Sequence, residues 1–432
     1  MTNPQKAFHK FLLLWSGQFI SAIGSGLTAF GLGVYVFQQT GKASAMALVT
    51  LLAFMPSLLL SPVAGVLADR YDRRLLMMLG DGLSATGLLF ILVCLLRGEA
   101  GLWQICAGVT ISSVFSSLLD PAYKATVTDL LAEEQYTKAS GFVQVAGSAK
   151  YLISPVVAGF LLLVWDVRLL LIIDICTFGV TVTSTLAVRR GLSSKPKEAA
   201  PSFIREFQEG WRALSASRGV LVLVVTTSVM TFFLGIIETL SMPMILTFAD
   251  SAALGTLETV IASGMLASSV VIGLLPIKRG FVRILSVSLF CQGLFMMVFG
   301  LRENMLLLGL SGFLFFAMLP FTNTSLDYLV RTNIDNSVQG RVWSLIGLVS
   351  QLGFVAAYTL AGVLADYVFT PLLVAGGSLA GSVGRVIGTG DGRGMGLLII
   401  IAGSLLSGAS VVLYNLKSIK QLENRGDLCT SD

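Results

Sequence analysis

Charge is scarce in this chain. Only 12% of its 432 residues are Asp, Glu, Lys or Arg, about half the share of a soluble domain, which excludes an ordinary soluble enzyme. Histidine is scarcer: His9 is the only one, so histidine-based zinc or acid–base chemistry inside the fold has no ligands to use. The five cysteines, Cys94, Cys106, Cys176, Cys291 and Cys429, show neither metal-ligand spacing nor a disulfide framework. No G-x-x-x-x-G-K-[ST] loop occurs. Its nearest echo, Gly41-Lys42-Ala43-Ser44, lacks the upstream glycine, so ATP-driven work would need another subunit. The first apolar run, Phe11 to Phe37, is long enough to span and lacks the short core and cleavage pattern of a signal peptide. No metal and no cofactor is expected.

What fills the chain instead is apolar. Such residues make up 55% of it and the mean hydropathy is +0.84. A spanning helix needs roughly 20 consecutive apolar residues. Twelve such runs are expected, near 12–37, 45–68, 75–96, 102–123, 141–164 and 169–188, then 220–248, 257–277, 281–301, 305–329, 342–369 and 395–416. The net charge of +5 is read as membrane orientation, not as nucleic-acid binding. With the N-terminus inside, only Lys42, Arg97, Arg168, Arg302, Arg385 and Arg393 fall outside. Lys150 lies within a span, and all other Lys and Arg are cytoplasmic. Adding or losing one span would scramble that alternation. The fold class is therefore all-α, with twelve transmembrane helices in two pseudo-symmetric six-helix bundles and both termini cytoplasmic.

The expected organisation is a bundle over 1–190, a cytoplasmic linker over 191–217, a second bundle over 218–416 and a tail over 417–432. Within the linker Phe203, Phe207, Trp211 and Leu214 recur at helical spacing between charges, the pattern of an amphipathic helix on the membrane surface. The Gly-rich stretch after Pro371 carries Leu379, Val383 and Ile387, spaced for a short external surface helix. The hexapeptide Ala-Gly-Val-Leu-Ala-Asp occurs at Ala64–Asp69 and again at Ala361–Asp366. The two copies face opposite membrane sides, so they are not equivalent positions.

The most informative string is Gly65-Val-Leu-Ala-Asp69-Arg70-Tyr-Asp72-Arg73-Arg74, in the turn between spans 2 and 3. It resembles the signature loop of the major facilitator superfamily, with Asp72 where the family prefers glycine. Trp15-Ser-Gly-Gln18, Ser21-Ala-Ile-Gly24, Asp120-Pro121-Ala122-Tyr123, Asp174-Ile-Cys-Thr-Phe178 and Ala365-Asp366 resemble its branch of macrolide-efflux proteins and siderophore exporters. The resemblance implies an inner charge cluster locking the outward-open state, formed by Gly65, Asp69, Arg70, Arg73 and Arg74, with Asp120 as partner. Gly65 is there read as allowing close helix approach. Ser154-Pro155 with Gly159 is similar to the kink in span 5 that marks antiporters of the family.

A charge placed mid-bilayer costs roughly 2.5–3.5 kcal/mol on insertion scales, so ionisable residues there are functional candidates. They are Glu238, Lys150, Asp174 and Asp81. Spans 1, 4, 7 and 10 line the cavity in the family, which makes Glu238 in span 7 the leading proton site. Lys150 lies deepest and needs a counter-charge, and Asp174 and Asp81 read as ties between scaffold helices. The same rule assigns Gln18, Phe19, Phe30, Tyr35, Gln104, Thr231, Phe232, Phe316 and Asn323 to the cavity wall. An aromatic wall with few fixed charges suits bulky amphipathic cargo better than a sugar. The expectation is a monomeric multi-pass exporter in the cell membrane, moving small hydrophobic or amphipathic molecules against protons. A siderophore or lipid exporter, or an uncoupled facilitator, is the alternative within the fold. A membrane enzyme lacks the necessary side chains, and a non-transporting sensor would bind without moving its ligand.

Overall fold

Helix is the state expected wherever an apolar chain must satisfy its own backbone polar groups, and the computed structural model shows it. The structure describes residues 4–189, 211–212, 214–215, 218–275, 277, 279–334 and 339–422. Twelve helical stretches among them are long and apolar enough to cross a membrane. Spans 1 to 6 are Ala7–Thr40, Ala43–Arg70, Arg73–Leu96, Leu102–Leu130, Glu134–Val164 and Val167–Val188. Spans 7 to 12 are Arg218–Leu246, Ser251–Leu274, Phe281–Leu301, Met305–Asn333, Val342–Leu373 and Asp391–Asn415. Large apolar side chains stay on the outside of many of them, for instance Leu59 (67% exposed), Leu274 (76%) and Leu306 (85%), as lipid allows and water would not.

Spans 1 and 8 begin before the expected positions, at Ala7 and Ser251; three other spans are interrupted, and proline marks each interruption. Span 4 is a helix Leu102–Ser116 followed by a second, Leu119–Leu130. Pro121 has no N–H and crowds the carbonyl four residues back, which is Ser117. Span 5 divides into Glu133–Leu152 and Ser154–Val164, with Pro155 opening the second piece and Ser154 Oγ donating to the Ile23 carbonyl of span 1 at 2.9 Å. Span 11 passes from Gln339–Leu364 into a π-helical turn, Ala365–Phe369, before Pro371 in the last turn, Thr370–Leu373.

The chain groups into two compact units. The first comprises Met1–Gly41, Leu48–Ala200 and Asp250–Thr259; the second comprises Lys42–Ala47, Pro201–Ala249 and Val260–Asp432. The opening turns of spans 2 and 8 thus each belong to the other unit from the rest of their helix, which the expected division at 190 and 218 does not contain. Of the linker positions, Phe203 and Phe207 lie outside the described residues, while Leu214 is buried. In the first unit, Phe11, Leu14, Leu76, Met77, Tyr123 and Val188 form a core near the turn between spans 2 and 3. In the second, spans 9 and 12 approach through two glycine pairs. A Cβ built on Gly403 would lie 2.5 Å from the Gly293 carbonyl oxygen, and one on Gly396 2.7 Å from that of Gly300. Small residues that admit backbone contact are what bind helices where no hydrophobic force does so.

The external helix is shorter than its spacing suggests. It covers Val383–Ile387, and Ile387 is buried against Leu373 and Leu397, so this segment packs into the second unit instead of lying on a surface.

Candidate functional site

Two aspartates lie in the interior of the first unit. Asp81 of span 3 and Asp174 of span 6 are 2% and 1% exposed. Asp174, Thr177 and Thr181 fall on one face of span 6 at helical spacing. Ser25 Oγ and Thr177 Oγ1 donate to Asp174 Oδ1, each at 3.4 Å. Thr28 also faces Asp174, and Thr181 and Gln18 face Asp81. Even so, one oxygen of each carboxylate, Asp81 Oδ2 and Asp174 Oδ2, is buried with no hydrogen-bond partner among the described residues. The two carboxylates are near enough to repel one another, and Lys150 attracts Asp174. Lys150, half-buried, also lies 5.9 Å from the Tyr151 ring centroid. Of the span-1 residues, Gln18 therefore takes part in this polar cluster, while Phe19 packs on Trp15 with centroids 5.2 Å apart.

At the end of span 2 the charge cluster forms with a different partner from the one expected. Arg73 Nη1 pairs with Asp129 at 2.7 Å and Nη2 with Asp69 at 3.7 Å. The same guanidinium donates from Nε to the Ala68 carbonyl and from Nη1 to the Ala125 carbonyl, both at 3.1 Å. Asp120 instead accepts from Lys124 at 2.6 Å on an exposed face. The physical reason is helix length: span 4 runs on to Leu130, and those roughly two extra turns bring Asp129, not Asp120, to Arg73. Asp72 caps span 3 by accepting from the Arg74 N–H at 3.0 Å, Arg74 is buried, and Arg70 is exposed. A Cβ at Gly65 would meet nothing within 4 Å, so close helix approach is not what glycine provides there.

The span-5 kink does use close approach. A Cβ on Gly159 would lie 3.1 Å from Ala252 Cα, and one on Gly255 2.7 Å from the Pro155 carbonyl carbon. Ser251 Oγ donates to the Gly159 carbonyl at 3.2 Å.

In the second unit Glu238 is exposed and accepts a hydrogen bond from Tyr358 of span 11 at 3.2 Å. Asp366 accepts from the Ala43 and Ser44 N–H groups at 3.1 and 2.8 Å, a carboxylate on a helix N-terminus whose first amides have no partner in their own helix. The second hexapeptide copy thus ends in a helix cap, the first in the Arg73 cluster.

Four expected wall residues do other work. Phe30 is buried. Tyr35 is tied to the Ala100 backbone, whose N–H donates to the phenol oxygen at 3.2 Å. Gln104 caps its own helix by accepting from the Gly101 N–H at 2.6 Å. Thr231 is buried and donates to the Ser350 carbonyl at 2.6 Å. Phe232 and Phe316 are half-buried edge-to-face partners of Phe233 and Phe315, and Asn323 is exposed. The faces of apolar spans carry no polarity signal that separates cavity from neighbour. Asp129, Thr177, Thr181 and Tyr358 were missed. Thr177 and Thr181 could have been found from their spacing to Asp174.

Helical bundles that cross the bilayer, bury acids within it and gather charge at the turn after span 2 have the build of a transporter. The family model of the Major Facilitator Superfamily matches residues 14–358, and the chain belongs to that family. It is similar to Macrolide efflux protein A of Streptococcus pyogenes, with 28% identity over 370 residues covering 83% of this chain and 89% of that protein. It is also similar to the Enterobactin exporter EntS of Escherichia coli O1:K1 / APEC, with 25% identity over 434 aligned positions covering 96% and 94% of the two chains. Among solved structures, the nucleoside transporter NupG superposes with a TM-score of 0.75 at 12% identity, covering 94% of this chain and 100% of that one; this likeness concerns the fold.

Proposed function

We propose that the protein is a secondary active exporter of hydrophobic or amphipathic small molecules, macrolide-like in size and character. The observation that carries this reading is the similarity to a macrolide efflux protein along most of both chains. Proton antiport is the coupling the side chains support: no phosphate-binding loop occurs in the sequence, and acids sit inside spans at a cost that function must offset. The reading takes the six-span bundles on either side of residue 190 to 218 as alternating-access halves, places both termini in the cytoplasm of a monomer in the cell membrane, and assigns the Arg73 cluster to the inner gate. Glu238, held by Tyr358 yet exposed, is the acid placed to exchange with solvent or cargo. A siderophore is the second cargo, favoured by the end-to-end similarity to an enterobactin exporter.

Purified protein in proteoliposomes with an imposed pH gradient tests the reading. A radiolabelled macrolide should accumulate against its own gradient when the pH gradient is present and only equilibrate when it is absent. E238Q should lose most of that accumulation while inserting normally. Uptake indifferent to the pH gradient for both macrolide and enterobactin would reject proton-driven export.

A further inference from the structure

A tie between scaffold helices should satisfy the groups that make it, because an unmade hydrogen bond on a buried polar atom costs more than the bond returns. The Asp81–Asp174 cluster does not behave that way. Gln18 and Thr181 reach Asp81, and Ser25, Thr28 and Thr177 reach Asp174, yet one oxygen on each acid, Asp81 Oδ2 and Asp174 Oδ2, is left buried with no partner among the described residues.

Charge counting shows what the cluster lacks. With both acids ionised it holds two negative charges against the one positive charge of Lys150, the two carboxylates repelling each other and the ammonium drawing on Asp174. Of the helices packed on span 3, Leu119–Leu130 carries Asp120 and Lys124, which pair with each other, and Asp129, which pairs with Arg73. Span 1 carries no charged residue from Phe11 to Thr40, and neither Leu102–Ser116 nor Ser154–Val164 carries any. One added proton makes the three groups neutral. The side chains can also serve both states. An amide turned end for end presents Gln18 Oε1 to a carboxyl O–H on Asp81, and the Thr28 hydroxyl donates to a carboxylate or accepts from an acid.

Resting on the proton-antiport reading above, we propose that Asp81 and Asp174 together hold one exchangeable proton, and that this pair in the first unit is the coupling site of the exporter. Binding forms one O–H bond on a carboxylate oxygen, with Gln18 or Thr28 turning to accept it. Release returns the proton to water and restores the ionised pair facing Lys150. Glu238 then acts on cargo or on the path to it.

The test uses the full chain in proteoliposomes with a radiolabelled macrolide, comparing D81N and D174N with wild type. Each asparagine mimics the neutral acid. Gradient-free exchange of the macrolide across the membrane should persist, which also reports folding, while the ratio of accumulation with and without the pH gradient falls to about one, since a site that binds no proton couples nothing. Either variant keeping the wild-type ratio overturns the proposal. K150M is the second arm, needed if the asparagine variants do not fold. Removing the one cation should hold the proton more firmly and move the pH profile of gradient-driven transport to more alkaline values, and an unmoved profile overturns the proposal. A wild-type protein that exchanges macrolide yet ignores the pH gradient rejects the antiport reading itself, a result distinct from both.

Discussion

Replacing Arg73 by alanine should loosen the first unit measurably, and the amount can be worked from its contacts. The guanidinium makes two hydrogen bonds to carbonyls, Ala68 and Ala125 at 3.1 Å each, and ion pairs with two carboxylates, Asp129 at 2.7 Å and Asp69 at 3.7 Å. The arginine side chain is 16% exposed, but Asp129 and Asp69 are 42% and 50% exposed, so water competes for them. At roughly 1 kcal/mol for each carbonyl bond and at most about 1 kcal/mol for the partly wet ion pairs together, R73A should cost about 2–3 kcal/mol. The Ala68 carbonyl matters most, since it closes the last turn of span 2, where no helical N–H reaches it. At about 2–4 °C per kcal/mol for a unit of this size, thermal unfolding in detergent should shift down by roughly 5–10 °C. D129N should lose a smaller part of this, and D120N almost none, because the Lys124 and Asp120 side chains are 68% and 71% exposed. R73K should recover less than half, since one ammonium cannot reproduce the fork. An R73A protein melting with wild type, or D120N as costly as D129N, would refute the assignment.

The glycines give two packing predictions. Gly255→Leu, forced against the Pro155 backbone, should destabilise by about 1–3 kcal/mol, as overpacking does, read as a lower melting temperature and reduced yield of folded protein. Gly293→Val, between spans 9 and 12, should do the same, whereas Gly408→Ala, with nothing within 4 Å of its added carbon, should stabilise by roughly 0.5–1 kcal/mol through helix propensity; an unchanged G293V melt would show that these helices can part without cost.

The twelve spans were legible because a membrane makes one demand, about twenty apolar residues in a row, and hydropathy answers it directly. Interruptions were less so. Pro121 and Pro155 are visible in the sequence, but where each helix breaks depends on a tertiary acceptor, as when Ser154 finds the Ile23 carbonyl. Span 4 was ended at Tyr123 because Lys124 and Asp129 lower its hydropathy. The helix goes on because Tyr123, Thr126 and Leu130 continue a buried face, and this is how Asp129 escaped notice. Cavity residues are the hardest to read from a sequence. A soluble helix separates core from surface by polarity, but lipid is as apolar as a packed neighbour, so Phe30 and Thr231 give no sign of which way they turn. Acids are easier to find, since Asp81, Asp174 and Glu238 stand out in any apolar run, although Tyr358 beside Glu238 needed the fold.

The π turn at Ala365–Phe369 holds one residue more than the α turn it replaces. Shortening the chain by a single residue here would give back regular helix without shortening the span appreciably. It would also swing everything before the deletion by about 100° about the axis relative to the last turn of the span. A homologue one residue shorter at this point would be expected to keep its spans and lose the Asp366 cap on Ala43 and Ser44, so length variation at this site, rarely informative in loops, would here mark which relatives retain that contact.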